Sequence, residues 1–455
     1  MNKKETVKFI DLFAGLGGIR LGLEAAFSEQ SFKTECVLTS EIKPYSIETL
    51  KHNFDHHCFM GDLFQISNDL IPNFDFLLGG FPCQPFSYGG RRKGFVDTRG
   101  TLFFEIERIL DAKKPYGFIL ENVEGLVKHD LEFKNDKVGQ TLKTILYKLE
   151  HELNYKVSWK VLDSLNFGLP QSRKRVFIVG TKDHKVDLNF DTHEFKVLRD
   201  VLENGKETIE SDMVNKLLNH FDLEDLFGKS IKDKRGGGNN IHSWDIGLKG
   251  EISEEQCILL NKLFKERRKK HWANKIGIKW MDGMPLTLNQ IKTFHSPTLF
   301  SESIDLNFIL DDLVDKGYLR FEYPKKLVIE LTENGEITKR VYDTTKLKGY
   351  NIVTGKLSFE INKILNPNDI APTLVATDVS RLVVPDGKGL RRLTIREGLR
   401  LFGYPESYVI PVKESEAFDL LGNTVAVPVV KSIADRIAKH FKTKNQVKSS
   451  PVAAL

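Results

Sequence analysis

The sequence predicts an α/β protein, a doubly wound and mostly parallel sheet with a second, smaller domain. Three observations carry that reading. Through roughly the first 180 residues, short apolar runs alternate with amphipathic helical patterns, the mark of successive βαβ units and a parallel sheet. A Gly-rich turn, Gly15-Leu16-Gly17-Gly18, joins the first apolar run to the first helical pattern. The alternation then stops from about Thr181 to Thr373, and regular patterning returns over 391–441.

Val7 to Phe13 is the first strand, and the helix after the Gly-rich turn places Ile19, Leu23, Ala26 and Phe27 on one face. Cys36-Val37-Leu38 is a second strand ending at Ser40-Glu41, with a helix expected after Pro44. Phe59-Met60-Gly61-Asp62 supplies a third strand and Phe74 to Leu78 a fourth. Phe118-Ile119-Leu120 runs into Glu121-Asn122-Val123, and Val157 to Leu162 with Val176 to Val179 form a closing pair. In the middle region, Arg235 to Asn240 reads as a flexible loop. Ser253-x-x-Gln256 is a capping-box start for a helix carrying the basic run Lys262 to Lys275. Leu306, Ile309, Leu310, Leu313 and Val314 share one helical face that stops at Gly317. Leu327 to Leu331 and Ile337 to Val341 make a hairpin turned at Asn334-Gly335. Helices followed by a hairpin suggest a winged-helix-like element. Val427, Val430, Ile433, Ala434 and Ile437 line a final helix expected to pack back on the first domain. The division expected is 1–183 completed by 414–441, a second domain and hinge over 184–413, and a disordered tail over 442–455.

Composition excludes several classes. Cys36, Cys58, Cys83 and Cys257 are scattered without a Cys-x-x-Cys pair, which argues against a zinc ribbon or a disulfide framework; no metal is expected. No apolar run approaches the roughly 20 residues of a membrane span, and Met-Asn-Lys-Lys-Glu-Thr lacks the apolar stretch of a signal peptide. A cytoplasmic protein with no membrane partner is expected. A net charge of +5 permits nucleic-acid binding, and Arg91, Arg92 and Lys93 cluster just after Cys83.

The chemistry concentrates in a few places. Gly79 to Gly90 sets Cys83 between Pro82 and Pro85, just beyond an apolar strand. Each proline fixes φ and removes a backbone donor, so the turn is stiff and holds the thiol at a sheet edge as a poised nucleophile. Asp11-Leu12-Phe13-Ala14-Gly15-Leu16-Gly17-Gly18 lets a ligand approach backbone N–H groups at a helix N-terminus. It is not a dinucleotide fingerprint, because Arg20 stands at the third glycine place. Glu41 lies roughly 20 residues further on, where a carboxylate binds ribose hydroxyls, and Asp62 is placed to accept from an adenine amino group. Together they point to an adenosine-containing cofactor.

Phe9-Ile10-Asp11-Leu12-Phe13-Ala14-Gly15-Leu16-Gly17-Gly18, Pro82-Cys83-Gln84, Glu121-Asn122-Val123, Gln171-Ser172-Arg173-Lys174-Arg175 and Gly422-Asn423-Thr424-Val425 occur in that order. In these motifs the chain resembles the DNA (cytosine-5) methyltransferases of the prokaryotic restriction-modification type, over 7–180 and 373–437. The resemblance implies the S-adenosyl-L-methionine-dependent methyltransferase fold, with that cofactor and S-adenosyl-L-homocysteine as its product. It implies Cys83 as the nucleophile on cytosine C6, Glu121 as the acid at N3, Asn122 as its support and Arg175 at O2. Arg173 is implied at the same site, supporting the loop or the phosphates. For the cofactor it implies Asp11, Phe13, Gly15, Gly17, Gly18, Glu41, Ile42, Asp62, Leu63, Asn423 and Thr424. Positions 19 and 42 are isoleucines where the family often has aromatic residues, so adenine would meet aliphatic contacts. By position the resemblance makes the middle region the part that reads sequence, and the candidates for DNA are Gln84, Ser87, Arg99, Arg235, Asn239 and Thr373, with Asn240, His242, Arg267, Arg268 and Lys269 as further middle-region residues of types suited to base edges and phosphates. The loop Gly89 to Gly100 is expected to close over DNA.

The implied reaction is methyl transfer to C5 of a flipped cytosine in a short double-stranded DNA sequence. The implied actor is a monomer associated with the nucleoid, paired functionally rather than physically with a restriction endonuclease. The resemblance names no base for the C5 proton and no individual base contacts in 184–372. Two other readings stand beside it. An RNA cytosine methyltransferase with the same motifs is disfavoured by the long middle region, and a catalytically dead DNA-binding relative by intact Cys83, Glu121 and Arg175.

Overall fold

The computed structural model describes residues 5–55, 58–81, 101–133, 135–234, 239–295, 305–332, 335–354 and 359–449. Two compact units emerge: residues 1–204, 366–380 and 393–455 in one, and 205–365 with 381–392 in the other. These boundaries fall inside the 184–413 span expected for the second domain.

The first unit is built on seven strands: β1 (Thr6–Leu12), β2 (Lys33–Ser40), β3 (Phe59–Met60), β4 (Phe76–Gly80), β5 (Gly117–Val123), β6 (Lys156–Asp163) and β7 (Lys174–Thr181), in the spatial order β3-β2-β1-β4-β5-β7-β6. The first five run parallel, and β7 is antiparallel to both its neighbours, so the closing pair read from the sequence is the antiparallel end of a mixed sheet. The crossovers carry α1 (Gly18–Glu29), α2 (Pro44–Asn53), α3 (Thr101–Lys113) and α4 (Gln140–Tyr147).

Alternation along each strand feeds two cores, one on each face of the sheet. Phe9, Ile119, Phe177 and Val179 pack with Leu23 and Phe27 of α1 and with Val430, Ile433 and Ile437. Ile10, Leu12, Leu77, Phe118 and Leu120 pack with Ile106 and Leu110 of α3 and with Leu142 and Ile145 of α4. The helix Val427–Ser449 lies on α1, as expected, and a Cβ at Gly22 would come within 2.7 Å of Val430. That helix also corrects one expectation. The tail is helical as far as Ser449 instead of disordered from 442, because Phe441 is buried and the Lys444 ammonium reaches the Asp183 carboxylate at 2.7 Å.

In the second unit the capping box forms, Ser253 and Gln256 bonding reciprocally, but its helix stops at Glu266 and a separate helix, Lys270–Ile276, carries the rest of the basic run. The helix Leu306–Asp315 ends before Gly317, which has φ +78°. The hairpin pairs Lys325–Thr332 with Gly335–Tyr342; Asn334 lies outside the described residues. A five-stranded sheet of very short strands accompanies these pieces, an element with no periodicity long enough to read. No single helix among the described residues is long and apolar enough to cross a membrane.

Candidate active site

The order of the parallel strands reverses between β1 and β4, and ligands of open α/β sheets bind beyond the carboxyl ends at such a point. Strand ends of the first unit bring several of the motifs to this edge. β1 ends into the Gly-rich turn, β2 into Glu41, β3 into Asp62, and β4 stops at Gly80, three residues before Cys83. Cys83, Gln84, Ser87, Arg99 and Arg235 lie outside the described residues, as does the loop Gly89 to Gly100.

Glu121 and Arg175 meet at this edge because β5 and β7 are antiparallel, with Val123 opposite Arg175. Arg175 Nε lies 2.9 Å from Glu121 Oε1, and both side chains are only 15% exposed. Glu121 also faces Gly80 across the β4–β5 register, its Oε2 3.5 Å from where a Cβ on Gly80 would stand. Burial raises the Glu121 pKa above the usual carboxylate value, and the charges of Arg175 and Arg173 offset part of that rise. The acid is therefore held nearer to a protonated state than an exposed glutamate, beside a fixed cation.

Two residues expected at this centre do other work. The Asn122 side chain bonds backbone: its Nδ2 donates to the Phe81 carbonyl (3.1 Å) and its Oδ1 accepts from the Val123 N–H (2.8 Å), tying the segment after β4 to β5. Arg173 is 3% exposed, which corrects its expected place at the phosphates. Its guanidinium donates to the carbonyls of Leu374 (2.8 Å) and Gly422 (3.1 Å) and lies 5.1 Å from the centre of the Phe402 ring. It joins segments far apart in sequence, and its charge acts on Glu121. Thr373 also acts within this joint, its hydroxyl donating to the Ser172 carbonyl at 2.6 Å.

The glycine turn is shaped by backbone conformation. Gly15 (φ +55°) and Gly17 (φ +66°) are left-handed, a region a glycine enters without penalty, and Phe13 (φ +56°) enters it against its own preference. Strain of this kind persists where surrounding structure fixes it, commonly at ligand sites. Glu41 anchors the turn: its Oε2 accepts from Gly15 N–H (2.9 Å), and its Oε1 from the N–H groups of Ile42 (2.8 Å) and Lys43 (2.9 Å). Each carboxylate oxygen has two lone pairs, so acceptor capacity remains at Oε2 for a hydroxyl. Asp62 Oδ1 accepts from Phe64 N–H at 3.1 Å. Ile42 is 71% exposed, whereas Leu63 (2%) and Ile19 (7%) are buried. Ile19 belongs to the core cluster that packs α1 on the sheet. Gly18 opens α1 against the Tyr404 hydroxyl, which pairs with Thr424 Oγ1 at 2.5 Å.

Asp11 is buried, with one carboxylate oxygen lacking a hydrogen-bond partner. Burial pushes its pKa up to about 7, with Arg20 opposing the rise and Glu24 and Glu41 reinforcing it. Sequence reasoning missed Tyr404, Tyr408 and Asp419. The Tyr408 hydroxyl donates to the Leu16 carbonyl at 2.7 Å, and Asp419 bonds to Lys43, Tyr45 and Asn423. The contacts to Leu16, Lys43 and Tyr45 join positions hundreds of residues apart, and no local pattern announces them.

Of the middle-region candidates, His242 and Arg267 are corrected. His242 is 8% exposed and stacks on Trp244 at 4.3 Å; Arg267 is 3% exposed and bonds Asn351 Oδ1 at 2.8 Å. Both belong to the interior of the second unit. Asn239 offers its carbonyl to Ser230 N–H (2.8 Å), Arg268 pairs with Asp282 (2.7 Å) and Lys269 with Glu266 (2.5 Å).

The family model described as C-5 cytosine-specific DNA methylase matches residues 7–439. The Type II methyltransferase M.NlaIV of Neisseria lactamica is 55% identical over 433 residues, covering 95% of this chain and 99% of that protein. The Type II methyltransferase M.NgoBV of Neisseria gonorrhoeae matches with the same identity and coverage. Among solved structures, the Entamoeba histolytica methyltransferase EhMeth shares the fold, with a TM-score of 0.53 and 14% identity over 96% of this chain and 99% of that one. A match along nearly the whole chain, joined to strand order and to Glu121 and Arg175 at the switch-point edge, leads to one statement: the chain belongs to the C-5 cytosine-specific DNA methylase family and is a DNA cytosine-5 methyltransferase.

Proposed function

We propose that the chain methylates C5 of a cytosine flipped out of a short specific duplex sequence, through a covalent bond between Cys83 Sγ and C6. On this reading it is the modification half of a type II restriction-modification system and protects host DNA from a cognate endonuclease. It works in the cytoplasm as a monomer, and the endonuclease is a functional partner only. The observation that carries the reading is the buried Glu121–Arg175 pair at the carboxyl edge of the sheet, facing Gly80.

Cytosine C5 is too weak a nucleophile to take a methyl group unaided. Addition of the Cys83 thiolate to C6 turns the ring into an enamine-like nucleophile, as in other covalent catalysis. The electron density displaced by that bond collects at N3 and O2. Glu121, its pKa raised by burial, holds a proton for N3, and Arg175 offers donors to O2. S-adenosylmethionine, when bound, supplies an electrophilic methyl group. The C5 proton then leaves to solvent water, the C6–sulfur bond breaks with its electron pair returning to Cys83, and the N3 proton returns to Glu121. Because C5 and C6 are hidden in a duplex, the base is flipped out first.

The donor set fits such a cofactor. Glu41 retains acceptor capacity for ribose hydroxyls, Asp62 offers a carboxylate to an adenine amino group, and a Cβ at Gly15 would meet no atom closer than 3.9 Å. Asp11, Phe13, Gly17, Gly18, Ile42, Leu63, Asn423 and Thr424 complete the proposed site, Leu63 through its backbone because its side chain is buried. Residues 184–413 are proposed as target recognition and hinge, with Arg235, Asn239 and Thr373 contacting DNA there, and Gln84, Ser87 and Arg99 contacting it from the catalytic region.

Bisulfite sequencing of plasmid DNA treated with the purified chain and S-adenosylmethionine tests this function. Protection of cytosine within one recurring short sequence is expected. No protected cytosine in duplex DNA, or methyl transfer to tRNA alone, would overturn it.

A further inference from the structure

We propose that Asp419 is a positioning residue for cofactor binding. It joins the two chain segments that supply the proposed cofactor residues Glu41 and Asn423, and the inference rests on that reading of the site. Asp419 lies one turn before Asn423 on the helix Glu414–Asn423. The Asn423 Nδ2 donates to the Asp419 carbonyl at 2.8 Å and to its Oδ1 at 3.2 Å. The second carboxylate oxygen, Oδ2, accepts from Lys43 Nζ at 2.6 Å and from the Tyr45 hydroxyl at 2.7 Å. Lys43 stands two residues after Glu41 and donates its own N–H to the Glu41 carboxylate. Asp419 thus ties Asn423 on its own helix to Lys43, 376 residues before it in sequence.

The chemistry of these contacts fixes an orientation. Both Asp419 atoms that face Asn423 are acceptors only, so the amide must turn its nitrogen toward them and its Oδ1 away. Asn423 is thereby held to present an acceptor, which suits a donor group of the cofactor, its ammonium or a hydroxyl, and disfavours its carboxylate. Burial works against charge on Asp419, but hydrogen bonds from Lys43 and Tyr45 outweigh it and hold the carboxyl below its usual pKa, so it remains an acceptor at neutral pH. Lys43 and Asp419 are 40% and 32% exposed, and ion pairs this open add little to folding stability. Their consequence is orientation.

Calorimetric titration of the full chain with S-adenosylhomocysteine, alongside steady-state methyl transfer, tests the inference. Asp419→Ala is expected to raise the Kd, and the KM for S-adenosylmethionine, about tenfold, the scale of losing a charge-assisted hydrogen bond, with kcat, the KM for DNA and the thermal midpoint unchanged. Tyr45→Phe, which keeps every charge, is expected to raise the same two constants by a smaller factor. If Asp419→Ala lowers the thermal midpoint, Tyr45→Phe decides. Unchanged cofactor affinity in both variants, or a fall in kcat alone, overturns the inference. Glu41→Gln separates the two levels: if it leaves S-adenosylhomocysteine affinity unchanged, the cofactor reading fails and this inference with it. If it weakens binding while Asp419→Ala does not, only the role of Asp419 fails.

Discussion

Glu121 is governed by opposing effects of similar kind: burial that favours its neutral form and a guanidinium at 2.9 Å that favours its anion. The net effect raises its pKa and so favours the protonated form relative to an exposed glutamate, and Glu121→Ala is expected to slow methyl transfer by about 10²–10⁴, the range for losing a general acid. Single-turnover assays check this, and cofactor affinity should be retained. Asp11 makes a separate prediction. Its folded pKa of about 7 stands above the unfolded value, so between roughly pH 4 and 7 the folded chain binds the extra proton. The stability this group contributes is present below the unfolded value and is lost as pH rises through 7, each unit of separation being worth about 1.4 kcal/mol. Asp11→Asn should flatten that decline; urea unfolding of both proteins at pH 6 and pH 8 measures it. Equal pH dependence in the two proteins would contradict the assignment.

At the scale of elements, the strands of the first unit were legible because buried parallel strands read as apolar runs punctuated by glycine and acid. Glu41, Asp62 and Glu121 could be placed at strand ends for the same reason. The joint around Arg173 was not legible: it brings Gln171–Arg173, Leu374 and Gly422 together by tertiary packing, and a buried arginine bonding carbonyls has the same local sequence as one meeting phosphate. The two-residue strands of the second unit were invisible because no period fits in two residues. The basic run was misread as one helix, although an unbroken charge pattern says nothing about the turn after Glu266. Gly422 tests the joint directly. A Cβ there would lie 2.1 Å from the Ala376 backbone nitrogen, so the backbone must move. Gly422→Ala is expected to destabilise the fold by about 1–3 kcal/mol, as overpacking does; denaturant midpoints with an unchanged m-value would measure it.

At the scale of the whole molecule, a doubly wound sheet gathers residues from five strand ends at one edge, while the second unit has a core of its own. The chemistry therefore depends on the sheet, and the proposed reading of DNA sequence on side chains of the other unit. If Arg268 and Lys269 meet phosphates, replacing both by alanine weakens DNA binding across sequences and lowers the salt slope by about 2. Binding isotherms across a salt series check this, and an unchanged slope removes both from the interface. The covalent step is tested most directly by incubating the purified chain and S-adenosylmethionine with 5-fluorocytosine duplex DNA, then resolving the products on a denaturing gel. A cross-linked band with the native chain, absent from Cys83→Ser, is the result predicted; no band with native protein on DNA that it binds and methylates when unsubstituted, or a band that survives Cys83→Ser, would contradict it.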